Sequence, residues 1–163
     1  MTYLEGNILH PPVPAIVHQC NCVTRGQAGL AKQIFKKFPY SNTYAGNTPR
    51  VPGMVSCHKS TWCRVDLEHP LVFNLYAQNQ PGACRAGMDE TPEIRLEWMR
   101  TALEEMGKII VTEAIFEVCI PFLLGCGLAG GVWEDYKKVL LDFEERSTIK
   151  LICIYLPMFA NQI

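Results

Sequence analysis

A chain of 163 residues with 48% hydrophobic and 19% charged residues is long enough to bury a core of its own. That balance excludes a disordered or fibrous protein. The formal net charge of −1 excludes the broad positive field of a general duplex DNA or RNA binder. No apolar run reaches the ~20 residues of a membrane span, and the start MTYLEGNIL lacks the charged head and long apolar centre of a secretion signal. The expectation is one domain over residues 1–163, intracellular, monomeric, with no membrane partner and no general nucleic-acid binding. The eight cysteines sit in a chain too long and too core-rich to need a disulfide scaffold. Cys119 and Cys153 lie inside apolar runs, where a thiol packs as a small hydrophobe, so reduced cysteines are expected.

In chain order, YLEGNIL reads as a short strand and PAIVHQCN as a second, β-branched strand with a polar end. GLAKQIFKKF follows as a helix with Leu30, Ile34 and Phe38 on one side, Lys32, Lys36 and Lys37 on a solvated face, and Pro39 as its stop. GMVSCHK and LVFNLYAQ are two further strands around a polar turn. TPEIRLEWMRTALEEMGK is the clearest helix, with Thr91 as cap, Pro92 in the first helical position and an apolar stripe of Ile94, Trp98, Leu103 and Met106. AIFEVCIPFLL reads as a buried strand, VWEDYKKVLLDFEE as a helix and IKLICIYLP as the last strand. Strands alternating with helices predict a three-layer α/β/α domain with helices on both faces of its sheet.

In such folds ligands gather where strand C-termini meet glycine-rich loops and helix starts. Two places fit, NCVTRGQAGLA and GCGLAGGVW. Small residues let backbone N–H groups come close to a phosphate, and a pair of such loops suits a diphosphate. Neither is a Walker A loop or a GxGxxG fingerprint, and two purely structural turns are the plain alternative. His18, Cys20 and Cys22 resemble a metal cluster, yet no second pair completes a tetrahedral site; Cys57, His58 and Cys63 lack ligand spacing too. No metal and no cofactor are expected. Strand alternation turns His18, Cys20 and Cys22 one way and Asn21 the other, unless the strand has already become loop. Cys126, in a glycine loop near a helix start, is a candidate for a lowered thiol pKa, or a small residue that lets a phosphate approach.

Taken together, LEGNIL, IVHQCNC with GLAKQIFKKFP, VFNLYAQ, and IPFLLGCGLAGGVWEDYKKVL make almost the whole chain similar to the macrodomains, the ADP-ribose-binding α/β/α family, which implies a mixed central sheet. His-x-Cys-Asn-Cys and Gly-Cys-Gly-Leu-Ala-Gly-Gly-x-Trp resemble most the branch of the yeast-type ADP-ribose-1″-phosphate phosphatase and the terminal ADP-ribose protein glycohydrolase. The resemblance implies ADP-ribose or its derivatives as ligand, ADP-ribosylated proteins as partners, and a hydrolase acting at the distal ribose, phosphatase-like, with a non-catalytic reader or a weak glycohydrolase as alternatives. It implies His18 and Asn21 as catalytic residues. Asn7 and Ile8 would meet the adenine, and Gln19, Asn21 and Gln78 would line the ribose end. Thr24, Gly26, Gln27, Ala28, Gly29 and Leu30 would wrap the ribose and one phosphate. Gly125, Cys126, Gly127, Leu128, Ala129 and Gly130 would hold the diphosphate, with Trp133 packing that loop and Phe159 at the adenine. Where the glycohydrolase has its lysine nucleophile this chain has Gln78, and where it has an aspartate this chain has Ala129. The remaining carboxylates within reach by sequence are Asp89 and Glu90, in a loop that could return to the pocket.

Overall fold

The computed structural model describes residues 1–163. Six strands form one sheet: β1 (Thr2–Glu5), β2 (Ala15–Asn21), β3 (Val55–His58), β4 (Leu71–Gln78), β5 (Glu117–Pro121) and β6 (Lys150–Tyr155). Their spatial order is β1-β6-β5-β2-β4-β3. Neighbours run parallel except β3, which pairs antiparallel to β4, so the sheet is mixed as expected. Three helices connect them, α1 (Gly29–Lys37), α2 (Pro92–Thr112) and α3 (Trp133–Arg146), with short 3₁₀ turns at Pro39–Ser41 and Pro157–Gln162.

Every residue of β4 is buried, which requires cover on both faces of the sheet. One face carries α2 and α3 over Val17, Phe73, Leu75, Val118, Ile120 and Leu151. The other carries α1, whose Ile34 and Phe35 close over Ile16, Val72 and Cys119. Each fully buried aliphatic side chain of this kind contributes about 2 kcal/mol of transfer free energy. The long helix α2 starts where its sequence says: the Thr91 hydroxyl accepts the Ile94 N–H at 3.3 Å and Pro92 follows. Its buried stripe keeps the expected Leu103 and Met106 but differs toward the helix start. Arg95, Met99, Leu103, Met106 and Ile110 face inward, while Ile94 is 36% exposed. The reason is that a buried arginine, not an isoleucine, occupies the position in phase with the methionines.

Two strands end sooner than their apolar runs suggest. β1 stops at Glu5 because Asn7 builds a turn, its Oδ1 accepting the Leu9 N–H at 3.0 Å and its carbonyl the His10 N–H at 2.8 Å. β5 stops at Pro121, and Leu123 turns the chain with φ of 60°, a left-handed conformation unusual for leucine. That turn carries the chain from the sheet into the second glycine loop.

Candidate functional site

The C-terminal ends of β2, β4 and β5 open into a cleft of about 780 Å³. A second hollow, beside Trp98, lies across Pro81 from it, and a third lies between α2 and α3; only the first is walled by both glycine loops.

The first wall begins at Asn21, which is 93% buried by its 7% exposure. Its Oδ1 accepts the N–H groups of Val23 (3.2 Å) and Thr24 (2.8 Å), and the Thr24 hydroxyl then accepts the Gly26 N–H at 3.1 Å. The side-chain carbonyl therefore replaces a backbone acceptor and folds the loop. Gly29, at φ 53°, turns that loop into α1. This helix has Ala28 at its N-cap, no side-chain cap and no acidic residue in its first turn. Its first N–H groups have no acceptor within the helix, and the residues carrying them, Gly29 to Ala31, line the cleft. By contrast α2, away from the cleft, is capped by its own threonine. The start of α3 also lacks a side-chain cap, but Glu134 and Asp135 fill its first turn and its residues do not line the cleft. The second wall is thus a loop rather than a helix start.

In that second wall, the glycines differ in what requires them. Gly125 has φ 77°, and a Cβ there would enter the Tyr136 ring and lie 2.7 Å from Gln19 Oε1. Gly130 has φ 70°, and a Cβ there would lie 2.6 Å from the Cβ of Ala83. Gly127 is different: a Cβ there meets nothing within 4 Å and points into open space. The two walls meet where Leu128 Cδ1 lies 3.0 Å from the position of a Cβ on Gly29.

The floor holds His18, Gln19, Asn21, Gln78 and Tyr44. His18 is 1% exposed; its Nε2 lies 2.6 Å from Asn74 Oδ1, its ring stands edge-on to Phe35, and the Cys20 thiol is 3.7 Å from the ring nitrogens. Burial pushes its pKa down to about 4, against the smaller opposing effect of Asn74, so the imidazole is neutral at pH 7. Asn74 is bound in turn through its NH₂ to the Ser41 carbonyl at 2.9 Å. The Gln78 amide is engaged at both ends, accepting from Gln19 Nε2 at 2.5 Å and donating to the Gln80 carbonyl at 3.0 Å. Tyr44 accepts both the backbone N–H and the side-chain NH₂ of Asn21, each at 2.9 Å. The Arg50 guanidinium sits 4.6 Å from the Tyr44 ring centre and donates to the Asn21 carbonyl at 3.3 Å. Burial raises the Tyr44 hydroxyl well above its ordinary pKa, so it too is neutral.

Most of the residues singled out from sequence come together here: His18, Gln19, Asn21, Thr24, Gly26 to Leu30, Gln78, Gly125, Gly127, Leu128, Ala129 and Phe159 line the cleft. Asn7, Ile8, Cys126, Gly130 and Trp133 stand outside that lining. Asn7 is exposed and used by its own turn, and Ile8 is buried in the core under α1. Cys126 turns away, its thiol donating to the Leu124 carbonyl at 3.4 Å, and burial pushes its pKa up to about 12 rather than down. Trp133 packs edge-on to Phe122, which in turn touches Phe159. The parity expectation for Asn21 is corrected. The β2–β4 register shifts between Gln19 and Asn21, and Asn21 meets Tyr44, whose ring packs on the same Phe35 as His18.

The loop at 89–90 brings neither of its carboxylates to the cleft. Asp89 is exposed, and Glu90 is 5% exposed with its oxygens on the N–H groups of Asn79 (2.8 Å) and Gln80 (2.9 Å) and on Arg95 (2.7 Å). Sequence reasoning missed Tyr44 and Arg95. Nothing in NTYAGN marks Tyr44, but Arg95 was findable, since it lies four residues before Met99 on the buried stripe. No group of three or more His, Cys, Asp or Glu side chains is placed to hold a metal ion, the eight cysteines are free thiols, and no helix is long and apolar enough to cross a membrane.

Neither the protein-family models nor the curated proteins compared yield a match to this sequence. Solved structures do match. The macrodomain of Mycobacterium tuberculosis DarG superposes with a TM-score of 0.71 at 22% identity, over 96% of this chain and 97% of that one. Thermosipho africanus DarTG in complex with ADP-ribose gives 0.68 at 17% identity, over 96% of this chain and 42% of that one. A variant of the Oceanobacillus iheyensis macrodomain with ADPR gives 0.65 at 13% identity, over 94% and 83%.

Proposed function

We propose, from the premise that this chain has the macrodomain fold, that it binds ADP-ribose, free or attached through its distal ribose, in the cleft between the two glycine loops. The observation that carries the reading is the chemistry of the walls. The cleft has no acidic side chain, and its titratable residues, His18 and Tyr44, are neutral at pH 7. It offers instead the open N–H groups of the first turn of α1 and a facing loop whose Gly127 leaves space for a ligand. N–H groups and a helix dipole without a competing carboxylate suit an anion, and two walls suit a diphosphate. In this pose the diphosphate lies between residues 26–30 and 125–129, the distal ribose over Asn21, and the adenine toward Phe159. Two solved relatives in fold carry ADP-ribose in their structures, which supports the same ligand class here.

The same geometry favours binding over hydrolysis. An imidazole with its pKa pushed down to about 4 and its Nε2 engaged by Asn74 is uncharged, so a poor acid, and only weakly basic at pH 7; Gln78 and Ala129 supply neither a nucleophile nor a base. Any turnover of ADP-ribose-1″-phosphate would rest on a water oriented beside Asn21. Titration calorimetry tests the binding: ADP-ribose should bind with micromolar affinity, about 8 kcal/mol, and more tightly than AMP or ribose-5-phosphate. Absence of heat and of thermal shift with ADP-ribose would remove this function while leaving the fold.

A further inference from the structure

We infer that Arg95 and Glu90 form a buried positioning pair that sets the spacing of the cleft walls, and so the fit of the diphosphate. The inference rests on the ADP-ribose reading for its ligand but not for its geometry. Arg95 rises from the first turns of α2 and is 2% exposed. One terminal nitrogen donates to the carbonyls of Gly82 (2.8 Å) and Ala129 (3.0 Å); the other reaches Glu90 (2.7 Å) and the Gln80 carbonyl (3.3 Å). One planar group thereby ties together the loop after β4, the second glycine loop and the residue preceding the α2 cap. Glu90 completes the tie by accepting the Asn79 and Gln80 N–H groups. Burial alone would raise the Glu90 carboxyl, but Arg95 and those two N–H groups outweigh it and hold its pKa below the ordinary value.

Gly82 and Ala129 line the cleft, and both of their carbonyl oxygens are turned onto the guanidinium. Oxygens held there are withdrawn from the path of an anion. The contact between Gly130 and Ala83 lies beside this tie and depends on the same spacing, because a Cβ on Gly130 would already collide. A lysine cannot reproduce the arrangement, since a point charge does not span three segments as a fork does.

The test uses the full chain with Arg95→Lys and Glu90→Gln, and Arg95→Met as the severe variant. Without ligand, hydrogen exchange at residues 79–83 and 125–131 should quicken at least tenfold in each variant while β4 and β5 stay protected. ADP-ribose affinity should fall at least tenfold, whereas AMP, which has no diphosphate to seat, should bind as it does to the wild type. Unchanged exchange in both loops overturns the inference, as does an equal loss for AMP and ADP-ribose, which would indicate general destabilisation. If Arg95→Met does not fold, Glu90→Gln carries the decision, since it keeps the shape of the carboxyl and removes its charge. A wild type that fails to bind ADP-ribose sinks the proposed ligand, and the exchange measurement still decides the role of the pair.

Discussion

The Tyr44 hydroxyl accepts two hydrogen bonds from Asn21, one from its backbone and one from its side chain, both at 2.9 Å. With the NH₂ end held there, the carbonyl end must face Val23 and Thr24, which it bonds. The orientation of this amide is therefore fixed by a residue 23 positions away, and one Nδ2 hydrogen is left for a ligand.

Removing that hydroxyl gives the first prediction. Tyr44→Phe keeps the ring against Phe35 and so should fold, but it leaves two buried donors unpaired. The cost should be about 1–3 kcal/mol in ADP-ribose affinity and stability together. Asn21→Ala should cost more affinity than Tyr44→Phe, because the loop from Val23 to Gly26 loses its acceptor as well. Calorimetry and thermal melts on both variants check this; a Tyr44→Phe protein with wild-type affinity would mean that Asn21 does not meet the ligand.

Two glycines of the same loop should separate binding from folding. Gly127→Glu places its Cβ in open space, so its melting temperature should stay near the wild type. Its carboxylate then stands in the anion's cleft, and affinity should fall by at least ~2 kcal/mol. Gly125→Ala puts a methyl into the Tyr136 ring at φ 77°, and should lower the melting temperature by several degrees. Affinity unchanged in a folded Gly127→Glu would place the ligand elsewhere.

The buried imidazole makes stability depend on pH. His18 has a folded pKa of about 4, below its unfolded value near 6.5, so the unfolded chain takes up the proton first as pH falls. Its contribution is present above pH 6.5 and is lost between there and pH 4. From pH 7 to pH 5 the loss attributable to His18 should be about 2 kcal/mol. His58, half-buried with its pKa also lowered, acts in the same direction, so the comparison needs His18→Gln. Denaturant titrations should show a shallower fall between pH 7 and 5 in that variant; an identical slope would contradict a neutral buried His18.

Turnover is the last measurement. Wild-type protein incubated with ADP-ribose-1″-phosphate or with an ADP-ribosylated glutamate peptide should release little product, and none through a lysine adduct, since Gln78 stands at that position. Should phosphate release be fast and fall ~10²–10⁴-fold in His18→Ala with ADP-ribose affinity intact, His18 is a general acid–base residue after all and the binding-only reading fails.

Local chemistry in the sequence determined the order of strands and helices, the cap of α2 at Thr91 and Pro92, and the two glycine loops, because propensity, periodicity and turn residues act between near neighbours. LVFNLYAQ is β4 to the residue. Tertiary structure alone decided the rest. A register shift turned Asn21 to the side of His18, Tyr44 came from a loop with no pattern of its own, and burial pushed the Cys126 thiol up where the helix start suggested down. Glu90 stands near enough to the site in sequence to serve as a base, yet Arg95 on the buried stripe of α2 claims it. Each of these depends on which groups meet across the sheet and how much water they lose, quantities that no stretch of chain contains by itself.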